Sequence, residues 1–419
     1  MAVVISCFLA GCLEMYDFVI FGFLAPIINK NYLTFLDEST GIIFTYLLFA
    51  VGFLFRPVGS IIFGYIGDKL GRKKALVISI SFMGFASLSL ALLPTYHDIG
   101  IISCYLIALI RIVQGISLGG EYSGAAIYAI EHTNKNNKGL IGNTVLSGTT
   151  CGVLLATLVS STLDNPIFPD YSWKFAFLLG FGLAIIGYFI RKRLGETPMF
   201  SEEKSKIKQN EIPLLIGLKN YKTQFLAGVF LSGANNANYY FFLVFVPAYL
   251  KNANINSFDF GNWYLAFFML FLEPTFGWMS DKVGRIKMIL FVCIVLALYD
   301  IVFLKLIITY GGSFSVFILL IIICAILISI SVSRINITVL EIFPVSCRYS
   351  CGALSYSLGA AIFGGTTPFV CSLITKYIGD NIIYYGIYIS IISLAGSVAA
   401  NKLRRVIKQL ADTNKGIKN

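Results

Sequence analysis

The chain has 419 residues, of which 57% are hydrophobic and 13% charged, with a mean hydropathy of +0.80. Soluble domains carry about 25% charged residues, so this composition excludes a soluble globular protein and indicates a chain that lies in a bilayer. The formal net charge is +11, but no basic stripe alternates with exposed aromatic residues, so we expect no nucleic-acid partner.

Apolar runs of roughly 20 residues recur along the chain, the length that crosses about 30 Å of hydrocarbon as a helix. The twelve runs lie at about 2–28, 41–66, 75–94, 101–130, 140–163, 173–191, 221–250, 260–280, 287–308, 314–340, 350–376 and 382–402. We therefore predict an all-α membrane protein with twelve transmembrane helices in two six-helix bundles. The predicted domains are an N-terminal bundle at 1–191, a cytoplasmic central loop at 192–220, a C-terminal bundle at 221–405 and a short cytoplasmic tail at 406–419.

The first run includes Leu9-Ala10-Gly11-Cys12, which resembles a lipoprotein cleavage box. No Lys or Arg precedes Lys30, so the charged region of a signal peptide is missing and we favour an uncleaved first helix. The same helix carries Glu14 and Asp17 near its middle, three positions apart and hence on one face. The nine cysteines show no metal-type clustering, so neither a metal site nor a cofactor is predicted.

A basic, glycine-punctuated turn at 64–74, GYIGDKLGRKK, joins the second and third runs, and a copy lies 213 positions later. The repeated positions are Gly64, Asp68, Lys69, Gly71 and Arg72 in the first copy and Gly277, Asp281, Lys282, Gly284 and Arg285 in the second. An acid also ends the fourth helix of each half, and a basic residue follows it seven positions later. These pairs are Glu131 with Lys138 and Glu341 with Arg348. A chain that carries the same features in each half indicates two parallel repeats.

The repeated turn could be a latch or only an anchor for the positive side of the membrane. Glycines allow a tight turn and close helix approach, and the aspartate can meet a neighbouring helix N-terminus or a loop arginine. Arg72 can pair with acids at the cytoplasmic helix ends, of which Glu131 is one candidate. An anchor explains the basic residues alone, so we favour the latch. Its predicted members are Gly64, Asp68, Gly71, Arg72, Glu131, Asp281, Arg285, Glu341 and Arg348.

Most of the 32 basic residues fall on one side of the predicted helices. By the positive-inside rule this asymmetry makes both termini cytoplasmic. The net charge is therefore interpreted as a signal of membrane orientation rather than as a binding surface for an acidic partner.

Several further motifs span almost the whole chain. They are GCLEMYDF at 11–18, FRPVG at 55–59, RIVQG at 111–115, GGEY at 119–122, ETPMF at 196–200 and EIFP at 341–344. Together with the glycine turn they resemble the metabolite:proton symporter family of the major facilitator superfamily, and within it most of all the proline/betaine carriers. The resemblance implies the major facilitator fold and a multi-pass protein of the bacterial cytoplasmic (inner) membrane. The tail after Arg405 shows no heptad run, so osmotic activation through a C-terminal coiled coil is not expected.

The resemblance implies a secondary active transporter that works by alternating access, and no enzyme. We expect proton-coupled symport of a small zwitterionic osmolyte such as proline or glycine betaine. The alternative is symport of an organic anion such as α-ketoglutarate or citrate, and a third interpretation is a membrane sensor that binds without transport. The expected partners are a small-molecule substrate, protons and the lipid bilayer, with the protein as a monomer.

Charged residues at membrane depth are costly, so they should face a cavity or a partner. Arg111 has no charged counterpart in the second half, which favours a place in the substrate or proton path over a scaffold role. The resemblance implies that the first and fourth helices line the central cavity and bring Glu14, Asp17 and Arg111 together. A structural ion pair between Arg111 and an acid is the alternative.

A coupled proton needs a carboxylate carrier here, because the only histidines, His97 and His132, lie in or near loops. The predicted proton-coupling residues are Asp17, Glu14 and Glu121, with Glu273 as a secondary candidate. A substrate carboxylate would compete with the acid for Arg111, which would couple protonation to binding.

Substrate contacts follow from the chemistry of a zwitterion, which needs a cation for its carboxylate and aromatic rings for its ammonium group. The predicted substrate-binding residues are Arg111, Tyr16, Asn235, Asn238, Tyr239, Tyr240, Trp263 and Arg334. A dicarboxylate would use Arg111 and Arg334 together, which keeps the organic-anion interpretation open. No catalytic residue is predicted.

Overall fold

The computed structural model describes residues 2–133, 137–163, 167, 169, 171–203, 212–246, 249–250, 263–310, 313–378 and 381–416. These described residues form helices joined by short turns, without a strand. Contacts divide the chain into two compact units. The first unit is Met1–Lys135 with Ile141–Pro213, and the second is Asn136–Leu140 with Leu214–Asn419.

The first unit is built from helices α1 to α9 in chain order, although the first residues of α7 cluster with the second unit. The helices are α1 (Ala2–Phe23), α2 (Ala25–Tyr32), α3 (Glu38–Lys69), α4 (Arg72–Leu92), α5 (Tyr96–Ile99), α6 (Ile102–Glu131), α7 (Lys138–Leu163), α8 (Trp173–Arg193) and α9 (Pro198–Glu203). The predicted first run is divided at Leu24, because Pro26 lies at the start of α2 and favours a new helix there.

Helix α3 begins with a side-chain cap. The Asp37 carboxylate accepts a hydrogen bond from the Thr40 backbone N–H at 3.0 Å. This hydrogen bond lowers the pKa of Asp37 below its ordinary value. The cap fixes the first turn of a helix that runs on for 32 residues.

Helices α3 and α6 approach each other through glycines, and this contact positions the polar face of α6. A Cβ at Gly59 would overlap the backbone of Ile116, and a Cβ at Gly115 would overlap the backbone of Gly52. Small residues at such crossings let membrane helices pack closely. The close approach brings the arginine and glutamate of α6 into the interior of the first unit.

The second unit contains helices α10 to α17 and two π-helical segments. The helices are α10 (Pro213–Asn220), α11 (Lys222–Tyr240), α12 (Trp263–Val283), α13 (Arg285–Tyr310), α14 (Phe314–Glu341), α15 (Arg348–Gly359), α16 (Thr367–Tyr377) and α17 (Ile382–Gly416). The π-helices are Phe241–Phe245, directly after α11, and Ala360–Gly364, directly after α15. Wide turns of this kind often occur near functional sites.

Nine helices in the described ranges are long and apolar enough to cross a bilayer. The other three predicted runs, 221–250, 260–280 and 350–376, are also helical over most of their described length. A π-helix divides two of these runs into shorter helices, and the third contains Glu273 and Pro274. The chain is thus a multi-pass, all-α membrane protein, and the predicted fold class is confirmed.

Two predicted loop segments differ from the structure. The region predicted as a central loop at 192–220 contains the short helices α9 and α10, while residues 204–211 lie outside the described residues. The predicted tail at 406–419 continues α17 as far as Gly416. The change from apolar to polar sequence that suggested a helix end there marks the end of the apolar stretch, and the helix continues beyond it.

Candidate functional site

A buried polar cluster in the first unit joins α1, α4 and α6. Asp17 and Arg111 are 2% and 0% exposed. The Gln114 amide donates to Asp17 Oδ2 at 3.5 Å, and Arg111 Nη1 donates to Gln114 Oε1 at 2.7 Å. Ser87 Oγ donates to the same Asp17 oxygen. Among the described residues the acid and the guanidinium are therefore connected through an amide, without a direct ion pair.

Aromatic rings enclose the Arg111 guanidinium. Its central carbon lies 4.4 Å from the ring centre of Phe18, 4.5 Å from that of Phe21 and 5.3 Å from that of Phe49. Desolvated cation–π contacts of this kind are worth about 2 kcal/mol. Arg111 Nε has no hydrogen-bond partner among the described residues. The arginine is thus held by aromatic faces and by long hydrogen bonds to the Phe18 and Phe49 carbonyls, both at 3.4 Å, while its Nε donor is unused among the described residues.

Three carboxyl side chains line one small cavity beside this cluster. They are Glu14, Asp17 and Glu121, and the apolar part of the wall comes from Leu13, Ile80, Met83, Gly180 and Ala184. The cavity volume of about 10 Å³ is what the centre of one water molecule needs. Glu14 is 5% exposed, and neither of its carboxylate oxygens has a hydrogen-bond partner in the part of the chain that the structure describes.

Glu121 differs from Glu14 because its charge is compensated. Glu121 forms an ion pair with Arg191 and accepts a hydrogen bond from Ser79 Oγ at 2.5 Å. Arg191 also donates to the Leu76 carbonyl at 3.1 Å. Although Lys192 and Arg193 follow it directly, Arg191 lies in the last turn of α8 and is only 2% exposed.

Tyr16, a predicted substrate contact, points at another helix of the first unit. It is fully buried, and its hydroxyl donates to the Ala176 carbonyl at 2.9 Å. This bond joins α1 to α8 and uses the hydroxyl proton. Tyr16 therefore fixes α1, the helix that also carries Glu14 and Asp17, against α8.

The glycine turn of the first unit surrounds a buried arginine with acids. Arg72 lies 3.3 Å from Asp68 and 3.1 Å from Glu131, and its Nη1 donates to the Gly67 carbonyl. Thr197 Oγ1 donates to the same Glu131 carboxylate at 2.7 Å. The two predicted latch glycines, Gly64 and Gly71, occupy different parts of the structure. Gly64 is buried inside α3, and Gly71 forms the turn itself with a φ of +115°.

A residue outside the predicted latch closes this turn. The Glu196 carboxylate accepts hydrogen bonds from the backbone N–H groups of Arg72, at 3.1 Å, and of Lys73. A carboxylate at the first turn of α4 compensates the positive end of the helix dipole. The ETPMF motif at 196–200 is the sequence signal that could have identified this residue, because it places the acid shortly after the end of α8.

The second copy of the turn makes a different set of contacts within the second unit. The Asp281 carboxylate accepts hydrogen bonds from the backbone N–H groups of Gly139, at 2.9 Å, and Leu140, at 3.1 Å, which belong to the first turn of α7. Arg285 forms ion pairs with Asp281, at 3.1 Å, and with Glu341. The remaining contacts of the predicted members are Lys138 with Glu341 at 3.3 Å and Arg348 Nε with the Phe343 carbonyl at 3.2 Å.

The predicted polar residues of α11 mostly contact other side chains of the second unit. Asn235 accepts from Ser331 at 3.0 Å and donates to Asn336 at 3.3 Å. Asn238 donates to Ser393 at 2.8 Å. The predicted aromatic residues pack against neighbours: the rings of Tyr239 and Tyr240 are 5.4 Å apart, and Trp263 stacks on Tyr264 at 4.0 Å.

Arg334 on α14 is the contrasting case. Its side chain is fully buried, and none of its three guanidinium nitrogens has a hydrogen-bond partner among the described residues. Asp281 and Arg285 are near enough to act on it electrostatically but form no ion pair with it. A buried cation without a partner is costly, so the site favours an anion from elsewhere.

A family model described as Major Facilitator Superfamily matches residues 7–364. The proline/betaine transporter of Escherichia coli K12 is 28% identical over 406 residues, covering 93% of this chain and 80% of its own length. The α-ketoglutarate permease of the same organism is 30% identical over 403 residues, covering 94% and 91%. Among solved structures, the proton:xylose symporter XylE superposes with a TM-score of 0.76 at 16% identity, covering 96% of this chain and 95% of its own, which shows a shared fold.

Proposed function

This chain belongs to the Major Facilitator Superfamily, and from that premise we propose that it is a secondary active transporter that couples proton movement to the uptake of a small solute by alternating access. Single-chain carriers of this kind use internal repeats and polar groups near the bilayer midplane. The protein is proposed to act as a monomer in the cytoplasmic membrane of a bacterium, with both termini in the cytoplasm, and to carry out no enzymatic reaction.

The observation that carries the proposal is the connection from Asp17 through Gln114 to Arg111. A substrate carboxylate that reaches Arg111 replaces Gln114 as its acceptor, because a charge-assisted hydrogen bond is stronger than one to a neutral amide. Asp17 then loses the positive field that favours its charged form and takes up a proton. Release of the substrate reverses both steps, so that proton and substrate move together.

Glu14 and Glu121 take different parts in this proposal. Glu121 forms an ion pair with Arg191, whereas no donor among the described residues reaches the buried carboxylate of Glu14. An unpaired carboxylate at membrane depth is costly, so Glu14 holds a proton in this arrangement. One water molecule in the cavity that both acids share with Asp17 would give the proton a route between them.

The proposed substrate is a zwitterionic osmolyte such as proline or glycine betaine. The support is the similarity over 93% of this chain to a relative named proline/betaine transporter, together with one arginine set among aromatic rings. Arg111 serves the carboxylate, and the faces of Phe18, Phe21 and Phe49 hold its guanidinium in place for that contact.

The second candidate is an organic anion such as α-ketoglutarate or citrate. Arg334 favours it, since a buried guanidinium with no hydrogen-bond partner among the described residues suits an added carboxylate. A relative named α-ketoglutarate permease is similar to 94% of this chain.

Purified protein in liposomes tests the proposal directly. Labelled proline, glycine betaine and α-ketoglutarate are supplied with and without an imposed pH gradient, using wild type, Arg111→Gln and Arg334→Gln. Accumulation of proline or betaine that needs the gradient and Arg111 supports the first candidate. Accumulation of α-ketoglutarate alone, lost in both variants, supports the second. Binding without flux for all three compounds would overturn transport in favour of a sensor.

A further inference from the structure

The second unit contains a buried acid that no step above uses. Asp300 lies near the middle of the 26-residue helix α13 and is fully buried. Neither of its carboxylate oxygens has a hydrogen-bond partner in the described residues, and no ion pair reaches it there. It was not singled out by the sequence motifs, because it is a single acid within a long apolar run.

The described neighbours of Asp300 are mostly apolar, and a hydroxyl near it, Ser390 on α17, donates to the Ala297 carbonyl one turn before the acid. Phe303 and Leu304 follow it on the buried face of α13 and belong to the main hydrophobic core of the second unit. The titratable groups near it are Cys324 from α14 and Tyr299 on its own helix, whose hydroxyl donates to the Leu320 carbonyl. No charged side chain in the described parts of α12, α14 or α17 acts on it.

The burial of Asp300 and the lack of polar partners in the described residues determine whether its carboxyl group is protonated. An ionised carboxylate without partners in an apolar interior pays a large desolvation cost, and such a group is neutralised instead. In a membrane-spanning helix the same argument holds, and intramembrane acids are functional candidates by default. Asp300 is therefore a carboxylic acid that carries its proton in this arrangement.

The internal repeat relates Asp300 to the proton site of the first unit. Helices α4 and α13 both begin directly after a glycine of positive φ, at Arg72 and Arg285. Counting from these arginines, Asp300 stands at the position of Ser87, the residue that donates to Asp17. The same offset of 213 places Ser393 at the position of Gly180. Ser393 accepts a hydrogen bond from the Asn238 amide, and Gly180 packs against Asp17.

We propose that Asp300 is a second proton-binding site, placed in the second unit and distinct from Asp17. In the first unit the acid is on α1 and a hydroxyl on the third long helix. In the second unit the acid is on α13, the third long helix, at the position that Ser87 has in the first unit. The proton binds a carboxylate oxygen of Asp300 as an O–H group and leaves to a water molecule that enters when the unit opens. The proposal rests on proton-coupled transport as proposed above.

The test compares wild type with Asp300→Asn and Asp17→Asn in liposomes. Infrared difference spectroscopy records the carbonyl stretching band of a protonated carboxylic acid. Because Glu14 contributes to the same band, we expect one component of it to be present in wild type and Asp17→Asn and absent in Asp300→Asn. This component should change when the substrate accepted in the flux assay (proline, betaine or α-ketoglutarate) is added. The reversal potential of uptake should report one proton fewer per substrate for Asp300→Asn than for wild type.

Two results would overturn the proposal: an unchanged proton-to-substrate ratio in Asp300→Asn, or an Asp300 band that substrate and turnover leave unaltered. Asp300→Ser, which installs the residue found at the equivalent position 87, gives a second folded variant for the same ratio. A wild-type protein whose flux ignores the pH gradient would instead overturn the proposed function, and that failure is visible without any Asp300 variant.

Discussion

In the described part of the chain, Arg111 is connected to Asp17 through the Gln114 side chain, which accepts from the arginine at 2.7 Å and donates to the acid at 3.5 Å. A direct ion pair would hold both charges in a fixed contact, and breaking one inside an apolar interior is expensive. An intervening amide gives each group a weaker partner. Either end can then exchange that partner for a substrate or a proton at modest cost.

Asp17→Asn should abolish proton-driven accumulation and leave counterflow exchange of substrate. The amide can still accept hydrogen bonds from Ser87 and Gln114 but cannot take up a proton. We expect accumulation against a gradient to fall by roughly 100-fold, the scale of removing one member of a buried charged network. Uptake and exchange assays on the same liposomes measure both quantities. Unchanged accumulation by this variant would remove Asp17 from the coupling mechanism.

Gln114→Leu should weaken the dependence of uptake on pH without loss of folding. Leucine fills a similar volume but connects neither group, so the protonation of Asp17 no longer depends, through a shared amide, on what Arg111 binds. The pH profile of initial uptake is the readout, with thermal unfolding as the control for structure. A profile identical to wild type would show that the amide does not mediate the coupling.

Glu131→Ala should destabilise the first unit by about 3 kcal/mol, because it leaves the buried Arg72 with one acid fewer. Arg72 and Glu131 are 0% and 2% exposed, so solvent cannot replace the lost carboxylate. Thermal unfolding in detergent measures the effect. Glu202→Gln is the matched control, since Glu202 is exposed on α9 and its loss should cost nearly nothing. Equal melting temperatures for both variants would contradict the assignment.

Gly71→Ala should be more harmful than Gly284→Ala, although the two glycines are equivalent in the repeat. Both have positive φ, +115° and +87°, so a side chain costs about 1–2 kcal/mol in backbone strain at either position. At Gly71 a Cβ would also collide with the Glu196 carboxylate, whereas at Gly284 nothing lies within 4 Å. The melting temperatures of the two variants measure the difference. A larger fall in melting temperature for Gly284→Ala than for Gly71→Ala would contradict the prediction.

Asp281→Ala should slow transport while Asp281→Asn retains part of the rate. Alanine removes the acceptor for the Gly139 and Leu140 N–H groups and the partner of Arg285, whereas asparagine keeps one acceptor oxygen. Loss of a helix N-cap costs about 1 kcal/mol, and the lost ion pair adds to it. Initial rates in liposomes at equal protein density provide the measurement. Alanine and asparagine variants of equal rate would argue against a role for the cap.

The helices and the turns were predictable because their signals are local. Hydrophobic length identified the membrane helices, and glycine spacing identified the turn that carries positive φ at Gly71 and Gly284. The sequence also indicated that Glu14, Asp17 and Arg111 lie in the interior, since charged groups at membrane depth need partners. Their roles in transport remain predictions.

Other features depend on packing and could not be predicted from local pattern. Arg191 stands beside Lys192 and Arg193, so its sequence neighbourhood resembles a cytoplasmic cluster, and only the contact with Glu121 shows it to be buried. Tyr16 is aromatic like many cavity residues, but the hydroxyl is taken by a carbonyl of α8. The π-helix Phe241–Phe245 has no signal in hydropathy.

At the offset of 213 that relates the two glycine turns, Ser87 corresponds to Asp300, and at the offset of 210 that relates Glu131 to Glu341, Glu121 corresponds to Ser331. The two halves therefore share a helical scaffold but differ in charge, since a hydroxyl in each half stands where a buried acid stands in the other. A chimera assembled from two copies of either half would keep every helix and lose this division of labour. We would expect such a chimera to insert and fold, yet to be unable to drive a solute uphill.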